Sequence, residues 1–313
     1  MREGKFRKKP AGTALEPRLD PAMRVLKALH SASVPAELCP EELERQRRNQ
    51  EILGNLVAPM AGMRWDEIKI GAMPAAWMGL ERPHRHRRAV LYCHGGGYTS
   101  GNLGYSKVLA SKLTQVTGFD VLSFEYRLAP EHPYPAALND AVSAWDYLMH
   151  LGYGARDIIV AGDSAGGNLA LVLCHELKAE RRMLPGALLL MSPWTDMTAS
   201  GASYTERADV DPMLTMDYIR VVREAYAVGH DLRECFISPV FGDFTDFPPT
   251  LVQVGSNEIL FSDSELLCRR MKEAGVQCRL EEWEDMWHVF QMFPIRKASY
   301  AIDSMAHFLL EEL

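Results

Sequence analysis

From residue 66 onward the chain alternates short apolar runs, many of them β-branched, with longer stretches whose apolar residues recur at helical spacing. The short runs fall at 66–71, 75–80, 89–93, 120–126, 157–161, 187–191, 250–254 and 276–283, and helical stretches separate most of the later ones. Strands that alternate with helices predict an α/β fold built on a mostly parallel sheet with helices on both faces. Two regions break the alternation. Residues 1–60 carry no strand signal and read as two helices, Pro21 to His30 and Pro40 to Val57, the second with charged positions Glu41, Glu42, Glu44, Arg45, Arg47 and Arg48. Between Ser192 and Phe247 the only regular pattern is a helix from Asp217 to Val228, with Ile219, Val222 and Tyr226 on one face. Both pieces are expected to lie over the carboxyl ends of the strands: a helical segment at 1–60 and an insertion at about 195–235 within a main domain of 61–313.

Composition narrows the class. At 313 residues and 47% hydrophobic the chain can bury a sizeable core, and a net charge of −7 argues against a nucleic-acid partner. The basic cluster His84, Arg85, His86, Arg87, Arg88 reads as a solvated loop, and its two histidines have no acidic or cysteine neighbours, so no metal is expected there. The basic start MREGKFRKKPAG is not followed by an apolar run of signal-peptide length, and no stretch is long enough to span a bilayer. Cysteines at 39, 93, 174, 235, 268 and 278 form no CxxC pair and are expected to be free thiols in a reducing, cytoplasmic setting.

The chemistry concentrates at strand ends. In AGDSAGGNLA, residues 161–170, a serine sits between an apolar strand and an apolar helix with glycines two positions to either side. A sharp strand-to-helix corner needs small flanking residues and presents its central side chain beside a helix N-terminus, so Ser164 is a candidate nucleophile. His94 and the glycines 95–97 follow directly on the strand 89–93. Neither glycine loop carries the Lys-Ser/Thr pair of a phosphate loop. An oxyanion hole made by Gly95, Gly96 and the N–H of Ala165 is the better fit. In such a sheet the acid and then the base follow the serine in sequence. Only His288 and His307 lie late enough, and His288, just past the last strand pattern, is favoured. The acid belongs to the loop after 250–254, where Glu258 and Asp263 are both available and Glu258 lies nearer the strand end. Asp163, beside the serine, is expected to point away.

HGGG at 94–97, YRLAPEHPYPAALND at 126–140, GDSAGGNLA at 162–170, SPWTD at 192–196 and GSNEIL at 255–260, with the later His288, together resemble the hormone-sensitive-lipase-like branch of the α/β-hydrolases. The resemblance implies an α/β-hydrolase fold with an eight-stranded sheet and a helical cap. It also implies a carboxylesterase or deacetylase with Ser164, Glu258 and His288 as triad, Gly95, Gly96 and Ala165 as oxyanion hole, short to medium acyl substrates, no cofactor, and pairing of two copies through the edge strand 276–283. Met213 and Leu214 in the insertion and Ile259 beside the acid are the candidate substrate contacts. The alternatives are a deacetylase or lactonase acting on an acetylated sugar, antibiotic or cyclic ester, and a ligand-binding member of the fold that has lost catalysis. The last is disfavoured because such a protein is expected to lack the histidine.

Overall fold

The computed structural model describes residues 41, 43–45, 47–48, 62–82 and 88–313. The two helices expected in 1–60, apart from those few helical positions, and the basic loop at 84–87 lie outside the described residues. The elements in chain order are β1 (Met63–Ile70), β2 (Met73–Leu80), β3 (Ala89–Cys93), α1 (Leu103–Thr117), β4 (Asp120–Phe124), α2 (Ala136–His150), β5 (Ile158–Asp163) and α3 (Ala165–Ala179). They continue with β6 (Ala187–Met191), α4 (Ser203–Glu206), α5 (Met216–Tyr226), β7 (Thr250–Gly255), α6 (Phe261–Glu273), β8 (Cys278–Trp283) and α7 (Arg296–Glu312). One sheet holds all eight strands in the order β1-β2-β4-β3-β5-β6-β7-β8. The β1–β2 and β2–β4 pairings are antiparallel and the rest are parallel.

The burial of the strands explains their composition. β3, β5, β6 and β7 are buried at every position, which is why they read as continuous apolar runs rather than alternating ones. Successive side chains still serve opposite faces. Leu91 and Cys93 join the cluster under α2, α3 and α6, whereas Val90 and Tyr92 join the one under α1 and α7. Each fully buried aliphatic side chain contributes about 1.5–3 kcal/mol. β1, at one edge, exposes Arg64, Asp66, Glu67 and Lys69, and β8 forms the other edge.

Strand order reverses direction at β3, which has β4 on one side and β5 on the other, and this opens a crevice at the carboxyl ends of β3 and β5. Register aligns the strand ends there: Cys93 pairs with Gly162, Asp163 with Met191 and Gly255 with Trp283. The loops after β3, β5, β7 and β8 therefore emerge side by side, carrying the glycine run, Ser164, Glu258 and His288 respectively.

One expectation is corrected. Cys268 in α6 and Cys278 in β8 do not remain free thiols but form a disulfide with Cα atoms 5.6 Å apart, across the short turn that joins the helix to the edge strand. Ten residues apart in sequence, they are brought together only when α6 packs beside β8. Cys93 and Cys174 are buried thiols whose pKa values are pushed up by burial. Among the described residues no helix is long and apolar enough to cross a membrane.

Candidate active site

β5 ends at Asp163 and α3 begins at Ala165, so Ser164 alone makes the corner, with φ 54° and ψ −121°. Backbone strain of this kind is of order 1–3 kcal/mol and persists where neighbours over-determine it. Here Ser164 N donates to Met191 O at 2.9 Å, and Ser164 O accepts from Trp194 N at 3.0 Å and Gly167 N at 3.0 Å. The flanking glycines are sterically required. A Cβ on Gly162 would lie 2.2 Å from Gly166 O, and one on Gly166 2.0 Å from Cys93 O.

The imidazole of His288 bridges the corner to the loop after β7: Nε2 lies 2.9 Å from Ser164 Oγ and Nδ1 3.0 Å from Glu258 Oε2. A carboxylate can only accept, so Nδ1 carries the proton and Nε2 is left to accept from the serine hydroxyl. Glu258 has no exposed surface, and its Oε1 accepts from Ser192 Oγ at 2.7 Å and from Gly255 N. Ser192 also accepts from Val289 N at 3.1 Å, which ties the histidine loop to the same hydroxyl. Burial pushes the His288 pKa down, but the hydrogen bond and charge of Glu258, with the charges of Asp211 and Asp163, outweigh it and leave the pKa above its ordinary value. Asp263 meets the backbone instead: one carboxylate oxygen accepts from Thr195 N at 2.8 Å and Asp196 N at 2.9 Å. His307 lies exposed on α7.

A model of the α/β-hydrolase fold matches residues 90–292, about two thirds of the chain. The chain belongs to the α/β-hydrolase family. An acetyl-hydrolase from Streptomyces hygroscopicus is 38% identical over 247 residues, covering 79% of this chain and 80% of that one. An esterase from Acinetobacter venetianus is 34% identical over 253 residues, covering 80% and 79%. A hormone-sensitive lipase from a metagenome library superposes with a TM-score of 0.86 at 33% identity, covering 95% of this chain and 100% of that one. Within the family this hydrolase falls in the hormone-sensitive-lipase-like esterase branch.

The glycine loop of this α/β-hydrolase departs from the expected donor set. Gly95 N donates to Asp163 Oδ1 at 2.9 Å, so its N–H is already taken and faces the carboxylate rather than a substrate oxygen. Asp163 is fully buried and also accepts from the hydroxyls of Tyr92 and Tyr105, while burial raises its pKa. It does point away from the serine, as expected, and in doing so it fastens the glycine loop to β5. Gly96 and Gly97, with φ of 118° and 62°, donate to no acceptor among the described residues, and the N–H of Ala165 opens the first turn of α3. His94 braces the loop: it is buried, Nδ1 lies 2.8 Å from Gly95 O, its ring stacks on Tyr126 at 4.0 Å, and burial pushes its pKa down to about 4, so it is neutral. Tyr126 OH donates to His94 O at 2.7 Å and Ala129 N to Tyr98 O at 2.9 Å, which places the YRLAPE stretch against the glycine loop.

The expected substrate contacts divide. Ile259 has no exposed surface and belongs to the main core cluster, so its side chain does not line an open pocket. Leu214 is nearly buried and Met213 partly so, both in the turn before α5. α5 itself packs on the glycine loop, where Tyr226 stacks on Tyr98 at 3.7 Å and a Cβ on Gly97 would meet Tyr218 OH at 2.8 Å. Sequence reasoning missed Ser192 and Asp211 and misjudged Gly95. Ser192 was visible as the residue just past the end of β6, and Asp211 as the polar start of a DPML turn, but neither type signals its role without the partner it meets.

Proposed function

We propose that this enzyme is a serine carboxylesterase for short-acyl esters, with Ser164 as nucleophile, His288 as base and Glu258 as the carboxylate that orients it. The observation that carries the reading is the unbroken line of 2.9 Å and 3.0 Å contacts from a strained serine corner through the His288 imidazole to a buried carboxylate. Ser164 Oγ attacks the ester carbonyl carbon while its proton passes to His288 Nε2. The carbonyl oxygen, now negative, is received by the N–H groups of Gly96, Gly97 and Ala165, each worth about 3 kcal/mol at the transition state. The tetrahedral intermediate expels the alcohol, which takes the proton from His288, and water then releases the acid from the acyl enzyme by the same relay. The 195–235 segment serves as the cap in this reading.

Because His288 acts as base only when neutral and its folded pKa lies above the ordinary 6.5, kcat/KM should rise through a midpoint above that value. An acid limb centred at or below 6.5 in a pH series on p-nitrophenyl acetate would remove the surrounding carboxylates from the account.

Short acyl groups are favoured because Tyr218 and Val222 of α5 stand directly against Gly97. Across p-nitrophenyl esters, kcat/KM is expected to be highest between acetyl and about octanoyl and to fall by roughly 10-fold or more at dodecanoyl. A fluorophosphonate probe should label Ser164, located by peptide mass spectrometry. Absence of labelling would favour a binding protein over an esterase.

A further inference from the structure

Asp211 lies in the strand-free segment between β6 and β7, is 1% exposed, and forms no salt bridge with any described residue. Its carboxylate nevertheless accepts three main-chain N–H groups. Oδ1 takes Met213 N at 2.8 Å and Leu214 N at 2.9 Å, closing a turn of the Asx type directly before α5. Oδ2 takes Ile259 N at 2.8 Å, in the loop after β7 and one residue beyond Glu258. The three positions that sequence reasoning assigned to substrate are thus joined through one side chain.

We propose that Asp211 is a positioning residue of the esterase, a staple that locks the turn entering α5 onto the loop carrying Glu258, so that the pocket wall and the His288–Glu258 pair keep one register. The inference rests on the reading of His288 as base and Glu258 as its orienting acid. A local turn alone does not require this arrangement, since Oδ1 by itself satisfies the turn. The bond from Oδ2 reaches across to a different element, and removing it leaves a buried N–H beside the triad acid without a partner.

Charge adds a second handle. The charges of three carboxylates from three elements act on His288: Glu258, hydrogen-bonded to it from the loop after β7, and at longer range Asp211 in the inserted segment and Asp163 at the end of β5. The imidazolium charge acts in turn on Asp211. Burial pushes the Asp211 pKa up to about 6 against the pull of its three N–H donors and the imidazole, so the staple is charged where the histidine is neutral.

Asp211→Asn tests the staple. The amide oxygen can keep the Met213–Leu214 turn, whereas its NH2 group opposes the Ile259 N–H, donor against donor, and the charge is gone. The expected result is a fall in kcat/KM on p-nitrophenyl acetate, per fluorophosphonate-labelled site, on the order of 10-fold. The acid limb of the pH profile should also move to lower pH, because the imidazolium loses one of its stabilising charges. A side chain that only fills space would leave that limb in place. Asp211→Ser, which can cap the turn but is too short for Ile259, should behave alike. In the unmodified enzyme the Ile259 amide should resist hydrogen exchange as strongly as the amides of β7. Exchange at the rate of an open loop, or two labelled variants with native kcat/KM and an unmoved acid limb, would overturn the proposal. Failure of the triad reading looks different: the unmodified enzyme would not be labelled and Ser164→Ala would keep its turnover.

Discussion

Ser164→Ala is expected to lower kcat on a p-nitrophenyl ester by on the order of 10⁴-fold while leaving the thermal midpoint within a few degrees of the parent. The size follows from losing the covalent route altogether: no other described hydroxyl meets His288 Nε2. The donors at Gly96, Gly97 and Ala165 remain, so a residual rate above background is expected from carbonyl polarisation and binding alone. Stability should hold because the fold grips the corner through its backbone, by the bonds to Met191, Trp194 and Gly167, and not through the hydroxyl. Steady-state kinetics with an active-site titration measures the effect, and near-native turnover would end the assignment.

Glu258→Gln should be nearly as damaging, with kcat down on the order of 10³- to 10⁴-fold. Oε1 sits opposite two donors, Ser192 Oγ and Gly255 N, so the amide oxygen must take that side and the NH2 must face His288 Nδ1. A donor there reverses the imidazole, placing its proton on Nε2 where the serine hydroxyl needs an acceptor. Burial prevents an easy alternative, since the side chain has no exposed surface in which to turn. The measurement is kcat at a pH well above the acid limb, where protonation of the histidine no longer contributes. A loss below about 10-fold would mean that another group orients the ring.

Much of the sheet was legible because its physics is local. β3, β5, β6 and β7 are buried on both faces and announce themselves as apolar runs. α7 begins at Arg296, ahead of its continuous apolar positions, because its first turn is largely polar apart from the buried Ala298. At the site, Ser164 and His288 were readable from their places at strand ends, and the choice between Glu258 and Asp263 followed distance from the end of β7. Partners that depend on approach across the sheet were not readable. Nothing in the local sequence says that the carboxylate of Asp163 takes the N–H of Gly95, or that Asp211 reaches the loop after β7, because each bond joins elements 68 and 48 residues apart. The disulfide between Cys268 and Cys278 is hidden for the same reason, since a helix and an edge strand must first lie side by side.

The grip of Asp163 on Gly95 has a bearing on how such a scaffold can be altered. Asp163, the residue before Ser164, takes the N–H of Gly95, so in the proposed mechanism one residue ties the nucleophile's corner to the loop that carries the oxyanion donors. The segment above is not independent of these two parts, since Tyr218 and Tyr226 of α5 meet the glycine loop and Asp211 reaches the loop after β7. Edits that change selectivity are therefore expected to be tolerated best at positions of the inserted segment that touch neither loop, whereas an edit at Asp163 disturbs the serine corner and the glycine loop at once.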